Sequence, residues 1–258
     1  MSEEQFSPPI KGLIETSFLD WKGKMCSTIF LANCNFRCPF CHNYELVLTP
    51  NKLQTWPFSE VINKLRGLKP WIEAVCITGG EPTCYEGIKE LIKLLKDEGF
   101  LVKLDTNGYK PSVLKELLDE GLLDYVSMDV KTVLDEEKYS ICVGKKIDIE
   151  RIKTSIELIK KSGIEHEFRM TVLPRLHPPD LIRDWAKALK GDNSKLTIQR
   201  FSPERTLDPS FSKEIPYDEK EFNELKKEVR AIELEDVSNQ EQEGFSIFSA
   251  KSGSSLLS

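Results

Sequence analysis

The sequence lacks any uninterrupted apolar run long enough to cross a bilayer, and its first residues, "MSEEQFSPPIKG", contain no apolar signal core. A cytoplasmic protein without a membrane partner is therefore expected. It also lacks a basic surplus. Lys and Arg number 36 against 42 Asp and Glu, giving a net charge of −6, which argues against a nucleic-acid surface. No internal repeat and no second domain stands out. A hydrophobic fraction of 40% with 30% charged residues over 258 positions fits one globular α/β domain with a full core. The seven cysteines are an odd count, and in a reducing compartment their clustering points to metal binding rather than to disulfides. Three of them, Cys34, Cys38 and Cys41, sit in "ANCNFRCPFCHN" with no fourth cysteine nearby.

Short β-branched and aromatic runs alternate with longer amphipathic stretches. Strands are predicted at 25–32, 74–78, 100–105, 125–130, 166–172 and 196–201, each bounded by polar, Gly or Pro positions. Helical faces are predicted from Ile149, Ile152, Ile156 and Ile159, and from Phe222, Leu225, Val229 and Ile232, which recur at three- and four-residue steps. Pro111 opens another helical pattern, and Gly99, Gly121 and Gly163 mark C-terminal stops. A short hairpin turning at "DWKGK" precedes the first of these strands. Repeated βα units imply a parallel sheet with helices on its outer face, either open and doubly wound or closed partway into a barrel. In both, the chemistry gathers beyond the C-terminal strand ends. The cysteine loop, "GGEPT", "TNG" and "KT" follow the first four predicted strands in order, so four strand ends are expected to converge on one site. Residues 1–236 are expected to form the core domain with its hairpin, and 237–258 a flexible tail.

Structural zinc takes four ligands in closed tetrahedral geometry, and here His42, directly beside Cys41, would have to supply the fourth. An iron-sulfur cluster, held by thiolates on a short loop, suits the triad better, and three cysteines leave one iron of a [4Fe-4S] cube without a protein ligand. The spacing of Cys34, Cys38 and Cys41, with Phe40 before the third, resembles the signature of the radical S-adenosylmethionine (SAM) superfamily, and "GGEP" at 79–82 is similar to that family's second motif. "CPFCHN", "LDTNGY", "SMDVK" and "FRMTVLP" resemble the activating enzymes of glycyl-radical enzymes, and the opening "IKGLIETSFLDWKGKMCSTIFLANCNFRCPFCHN" resembles the activators of anaerobic ribonucleoside-triphosphate reductase.

The resemblance implies a partial (β/α)6 barrel of the radical SAM type and assigns roles position by position. Cys34, Cys38 and Cys41 would ligate iron and leave one iron to SAM. Phe40 would lie near the adenine, and Gly79, Gly80 and Glu81 would cradle the methionine amino group. Asp105, with Thr106, and Asp129 would help to hold a monovalent cation beside SAM, and Asn107 of the same "DTNG" stretch joins the cofactor-binding set. Lys131 would approach the SAM carboxylate or the substrate, and Arg169 would pair with that carboxylate as a bidentate fork. The chemistry implied is one-electron reductive cleavage of SAM to methionine and a 5′-deoxyadenosyl radical, which takes hydrogen from a glycine of a partner protein. A glycyl-radical enzyme would be the substrate, and a flavodoxin or ferredoxin type protein the electron donor. Alternatives are a pyruvate formate-lyase type activase and a radical SAM enzyme acting on a small molecule, of the deazapurine carboxylate synthase type. The family often has Gly before the first cysteine, where this chain has Asn33, a residue that tolerates left-handed backbone. The other cysteines read otherwise: Cys26 and Cys76 as buried small hydrophobes, Cys84 and Cys142 without a motif. His42 reads as a loop hydrogen-bonding residue, and His166 and His177 are unassigned.

Overall fold

A computed structural model describes residues 6–191 and 193–251, with side chains through 235. Seven strands form one sheet: β1 (Ile10–Ser17), β2 (Cys26–Leu31), β3 (Ala74–Gly79), β4 (Leu101–Thr106), β5 (Tyr125–Asp129), β6 (Glu165–Val172) and β7 (Lys195–Arg200). Their spatial order equals their order in sequence; β1 pairs antiparallel with β2, and every later pair is parallel. That order settles what the hydrophobic pattern left open. A doubly wound sheet reverses its strand order partway, whereas a sheet that always advances in one direction with right-handed crossovers puts all its helices on one face. The other face then curves into a lumen, giving the partial barrel. The expected hairpin is present as β1–β2, with Ile10 opposite Leu31 and Ser17 opposite Cys26.

Helices α1 (Tyr44–Leu48), α2 (Phe58–Leu68), α3 (Ile88–Asp97), α4 (Pro111–Asp119), α5 (Glu136–Val143), α6 (Ile149–Ser162), α7 (Pro179–Leu189) and α8 (Glu219–Lys251) complete the chain. The segment expected as a tail, 237–258, lies outside the residues whose side chains are described, and 252–258 lie outside the described residues altogether. The predicted apolar faces are the ones buried. Ile152 and Ile159 of α6 are fully enclosed, as are Leu91, Ile92 and Leu95 of α3, and burial of each such side chain stabilises the fold by about 1.5–3 kcal/mol. Gly163 ends α6 in a left-handed conformation (φ 73°), and Asp148 opens it by accepting a hydrogen bond from the Glu150 backbone N–H.

Alternation along the strands separates two environments. Ile29, Leu31, Val75, Ile77, Val102, Leu104, Val126, Met128, Phe168 and Met170 join the main core beneath the helices. Cys26, Ala74, Cys76 and Tyr125, with Trp21 from the hairpin turn, form a separate small cluster. This places Cys26 and Cys76 as the buried thiols expected. Further along the strands the lumen turns polar, and Asp105, Asp129, Arg169 and Gln199 line the cavity at the C-terminal strand ends.

Candidate active site

A cavity of about 500 Å³ opens beyond the strand ends, lined by Cys34, Cys38, Cys41, Phe40, Gly79, Gly80, Glu81, Asp105, Asn107, Asp129, Lys131 and Arg169. These twelve, with Thr106 beside them, are the residues to which the resemblance assigned roles, and all line one space.

The cysteine loop leaves β2 through Asn33, whose φ of 71° is the left-handed conformation that favours Gly and that Asn tolerates. The β3 exit packs directly against it. Gly80 N–H donates to the Leu31 carbonyl (2.9 Å) and Glu81 N–H to the Asn33 carbonyl (2.7 Å). A Cβ at Gly79 would lie 2.2 Å from Leu31 O, and one at Gly80 2.0 Å from Asn33 O. The two glycines thus let the second motif dock against the backbone of the first. Glu81, 1% exposed, continues the tie to β4: its Oε1 accepts from Thr83 N–H (3.1 Å), Thr83 Oγ1 (2.6 Å) and Thr106 Oγ1 (2.7 Å), and its Oε2 accepts from Asn107 N–H (2.6 Å). Burial raises the Glu81 carboxyl above its ordinary range, and these donors oppose the shift. Asn107 Nδ2 in turn donates to Asn35 Oδ1 at 2.7 Å and approaches Cys34 Sγ at 3.8 Å.

Burial pushes the thiol pKa of Cys34 up to about 12 and that of Cys38 to about 11, and raises Cys41 as well. One buried and two half-buried thiols that resist ionisation are placed for a strongly cationic group that replaces their protons. Among the described residues no three His, Cys, Asp or Glu side chains converge as a single-ion site requires. Three cysteines of one loop that line the same cavity are the donor set of an iron-sulfur cluster. His42 Nε2 instead bonds the Ser202 carbonyl oxygen (2.7 Å), the loop role expected of it. Backbone N–H of Phe36 donates to Cys34 Sγ (3.4 Å), and Asn35 Nδ2 is buried without a hydrogen-bond partner, a donor left for the group the loop holds. The residues present therefore fit a [4Fe-4S] cluster.

Opposite the cysteines lies a charged lattice on adjacent strands. Arg169 reaches Asp129 Oδ1 through Nε (2.9 Å) and Asp105 Oδ2 through Nη2 (3.1 Å), and Lys131 Nζ lies 3.0 Å from Asp129 Oδ2. Although burial opposes ionisation, Arg169 and then Lys131 hold the Asp129 carboxyl at about 2.

Sequence reasoning missed what holds this lattice in place. The backbone at Val130 and Lys131 is clamped by buried side chains: Trp185 Nε1 donates to Val130 O (3.0 Å), Lys131 N–H donates to Tyr139 Oη (3.1 Å), and His177 Nε2 lies 2.9 Å from Lys131 O. Cys142 Sγ also approaches that carbonyl at 3.2 Å, and the His177 ring stands edge-on to Phe40 with centroids 6.3 Å apart. Lys103 was missed too, although it lies two positions before Asp105 on β4 and so on the same face.

Comparison with known proteins agrees with this geometry. A model of the radical SAM superfamily matches residues 28–184. A Methanocaldococcus jannaschii protein named as a glycyl-radical enzyme activating enzyme is 36% identical over 223 residues, 84% of this chain and 90% of its own length. The pyruvate formate-lyase-activating enzyme of Clostridium pasteurianum is 27% identical over 64% of this chain and 69% of its own. Among solved structures, Streptococcus suis SuiB bound to its precursor peptide SuiA superimposes with a TM-score of 0.62 at 18% identity, over 79% of this chain and 44% of that one. Coproporphyrinogen III oxidase of Escherichia coli gives 0.51 at 15% identity, over 83% and 53%. These two likenesses show the fold. The chain belongs to the radical SAM superfamily, as an enzyme whose cofactors are a [4Fe-4S] cluster and S-adenosylmethionine.

Proposed function

We propose that this enzyme activates a glycyl-radical enzyme, taking a hydrogen atom from one glycine of that partner, and that the partner is an anaerobic ribonucleoside-triphosphate reductase. The observation that carries the activase reading is the Methanocaldococcus relative, matched over 84% of this chain and 90% of its own. The reductase as partner is supported by the opening segment through "CPFCHN" and is the finer part of the proposal. A pyruvate formate-lyase type partner is the second reading, favoured by the Clostridium relative. A substrate of the deazapurine carboxylate synthase type has weaker support: the 7-carboxy-7-deazaguanine synthase of Haemophilus influenzae matches only 43% of this chain.

When bound, the cluster and SAM supply one-electron cleavage of a sulfonium and a carbon radical able to abstract hydrogen. The chain's own residues bind and shield them. Cys34, Cys38 and Cys41 hold the iron; the Asp129, Lys131 and Arg169 lattice offers charge and hydrogen bonds to the amino-acid end of SAM; Phe36 and Phe40, 2% and 5% exposed, wall the site from water. An external protein must deliver the electron. Arg37, Lys145 and Lys146 are exposed beside the cysteine loop on a chain of net charge −6, and this local reversal of sign supports an acidic donor of the flavodoxin or ferredoxin type.

The test is anaerobic: the enzyme with its cluster reconstituted is reduced with SAM and each candidate glycyl-radical enzyme of the same genome, and paramagnetic resonance is recorded. A glycine-centred radical on the reductase supports the full proposal, one on another partner overturns the finer part, and none on any partner overturns the activase reading.

A further inference from the structure

We infer that the Lys103 ammonium is a resident cation in the place where a monovalent metal ion is expected, so that SAM binding and cleavage by this chain need no Na⁺ or K⁺. The family resemblance assigned such an ion to Asp105, Thr106 and Asp129, whose hard oxygen ligands would suit it. The structure gives those oxygens other partners. Each of the four carboxylate oxygens faces a cationic side chain of the chain itself: Lys103 Nζ lies 2.9 Å from Asp105 Oδ1, Arg169 Nη2 3.1 Å from Asp105 Oδ2, Arg169 Nε 2.9 Å from Asp129 Oδ1, and Lys131 Nζ 3.0 Å from Asp129 Oδ2. The Thr106 hydroxyl donates to Glu81 at 2.7 Å and accepts from the Gly108 N–H at 3.1 Å. The contact with Asp105 Oδ1 is an ion pair without aligned hydrogen-bond geometry, because that oxygen has no hydrogen-bond donor. Charge, rather than a directed bond, is what Lys103 supplies there.

Lys103 is also anchored. Its side chain is 3% exposed, its ammonium donates to the Asp20 carbonyl in the hairpin turn at 2.6 Å, and it stands 5.8 Å from the centre of the Tyr125 ring. The Asp20 carbonyl takes one N–H of the ammonium, and the Asp105 carboxylate and the Tyr125 ring face hold its charge. Asp20 is fixed in turn, its Oδ2 accepting from Thr28 Oγ1 at 2.7 Å. Charge balance leads to the same conclusion. Lys103, Lys131 and Arg169 already exceed Asp105 and Asp129 by one positive charge, and Glu167, 4.0 Å from Arg169 and held by Ser127 and Thr197, restores neutrality. The lattice is thus neutral without an added ion, and a further cation would leave it with an unbalanced positive charge in a partly buried site, where charge is weakly screened. Lys103 is tied to the hairpin through the Asp20 carbonyl and held against Asp105. It therefore acts as a positioning residue through Asp105.

This inference concerns SAM itself and stands or falls apart from the identity of the partner. The cluster-loaded enzyme is assayed for 5′-deoxyadenosine without any glycyl-radical enzyme, in choline chloride and in KCl of equal ionic strength, with a reductant prepared free of alkali-metal salts. Wild-type rates should agree within about twofold, as equal screening requires. Lys103→Met should lose about tenfold or more in choline, with Asp105 left short of a buried partner, and recover in KCl. A second readout needs no cluster: the apo protein should melt within about 1 °C in the two salts, because only a bound ion would shift its equilibrium, while Lys103→Met should gain stability in KCl. A tenfold wild-type requirement for K⁺, a KCl-dependent rise in wild-type melting, or a folded Lys103→Met with no response to K⁺ would each overturn the inference. If Lys103→Met does not fold, the two wild-type comparisons decide.

Discussion

Replacing His177 with glutamine tests whether the clamp behind the active-site lattice is built on a neutral imidazole. The ring is fully buried, with Nδ1 accepting from Leu173 N–H (3.3 Å) and Nε2 facing the Lys131 carbonyl oxygen (2.9 Å), so the proton sits on Nε2. A second proton would have to lie on Nδ1, against the Leu173 N–H. Burial, with a further push from the Lys131 charge, lowers the His177 pKa from 6.5 to about 4, and the bond to the Lys131 carbonyl opposes this only partly. The folded-state value lies below the unfolded one, so the unfolded chain takes up the proton first as pH falls. The contribution to stability is therefore complete above about pH 6.5, and it is lost as pH falls toward 4. Between pH 7.5 and 4.5 the loss from this one group is about 2.5 kcal/mol, taking about 1.4 kcal/mol per pKa unit. Denaturant unfolding of apo wild type and His177→Gln at both pH values measures it. Wild type should be the more stable at pH 7.5, and its advantage should shrink by about 2.5 kcal/mol at pH 4.5. Parallel pH profiles for the two proteins would refute the buried neutral imidazole.

Gly80→Ala should destabilise the protein by about 1–3 kcal/mol and reduce iron incorporation, because the new Cβ would meet the Asn33 carbonyl at 2.0 Å in a segment pinned by two backbone hydrogen bonds; melting and iron content check this. Glu81→Gln keeps the shape but turns one accepting oxygen into a donor facing donors, and should cost about 1–3 kcal/mol in unfolding free energy. Cys38→Ala should remove the cluster absorbance and all 5′-deoxyadenosine while leaving the far-ultraviolet circular dichroism unchanged, since the cysteine loop lies outside the sheet and helices.

The strands were legible because β-branched runs such as "AVCIT" and "HEFRMTV" are short and bounded, and their predicted limits fall within a residue of the observed ones. Asn33 was legible because few residues accept left-handed backbone, and its φ of 71° is of that kind. The barrel was not legible from periodicity, because curvature depends on strand order, which no local pattern encodes. Nor were the partners of Asp105 and Asp129. Arg169 meets both only because β6 lies beside β5 with Asp129 opposite Arg169, a register set by the whole sheet. His177 sits 46 positions from Lys131, Trp185 55 from Val130 and Tyr139 eight from Lys131, and none carries a motif.

The most direct test of the central claim follows one hydrogen atom. A candidate partner is prepared with α-deuterated glycine and incubated anaerobically with the cluster-loaded enzyme, SAM and reductant, and the 5′-deoxyadenosine is weighed by mass spectrometry. Deuterium is expected in the 5′-deoxyadenosine, in proportion to the glycyl radical formed on the partner. A glycyl radical accompanied by unlabelled 5′-deoxyadenosine would contradict it.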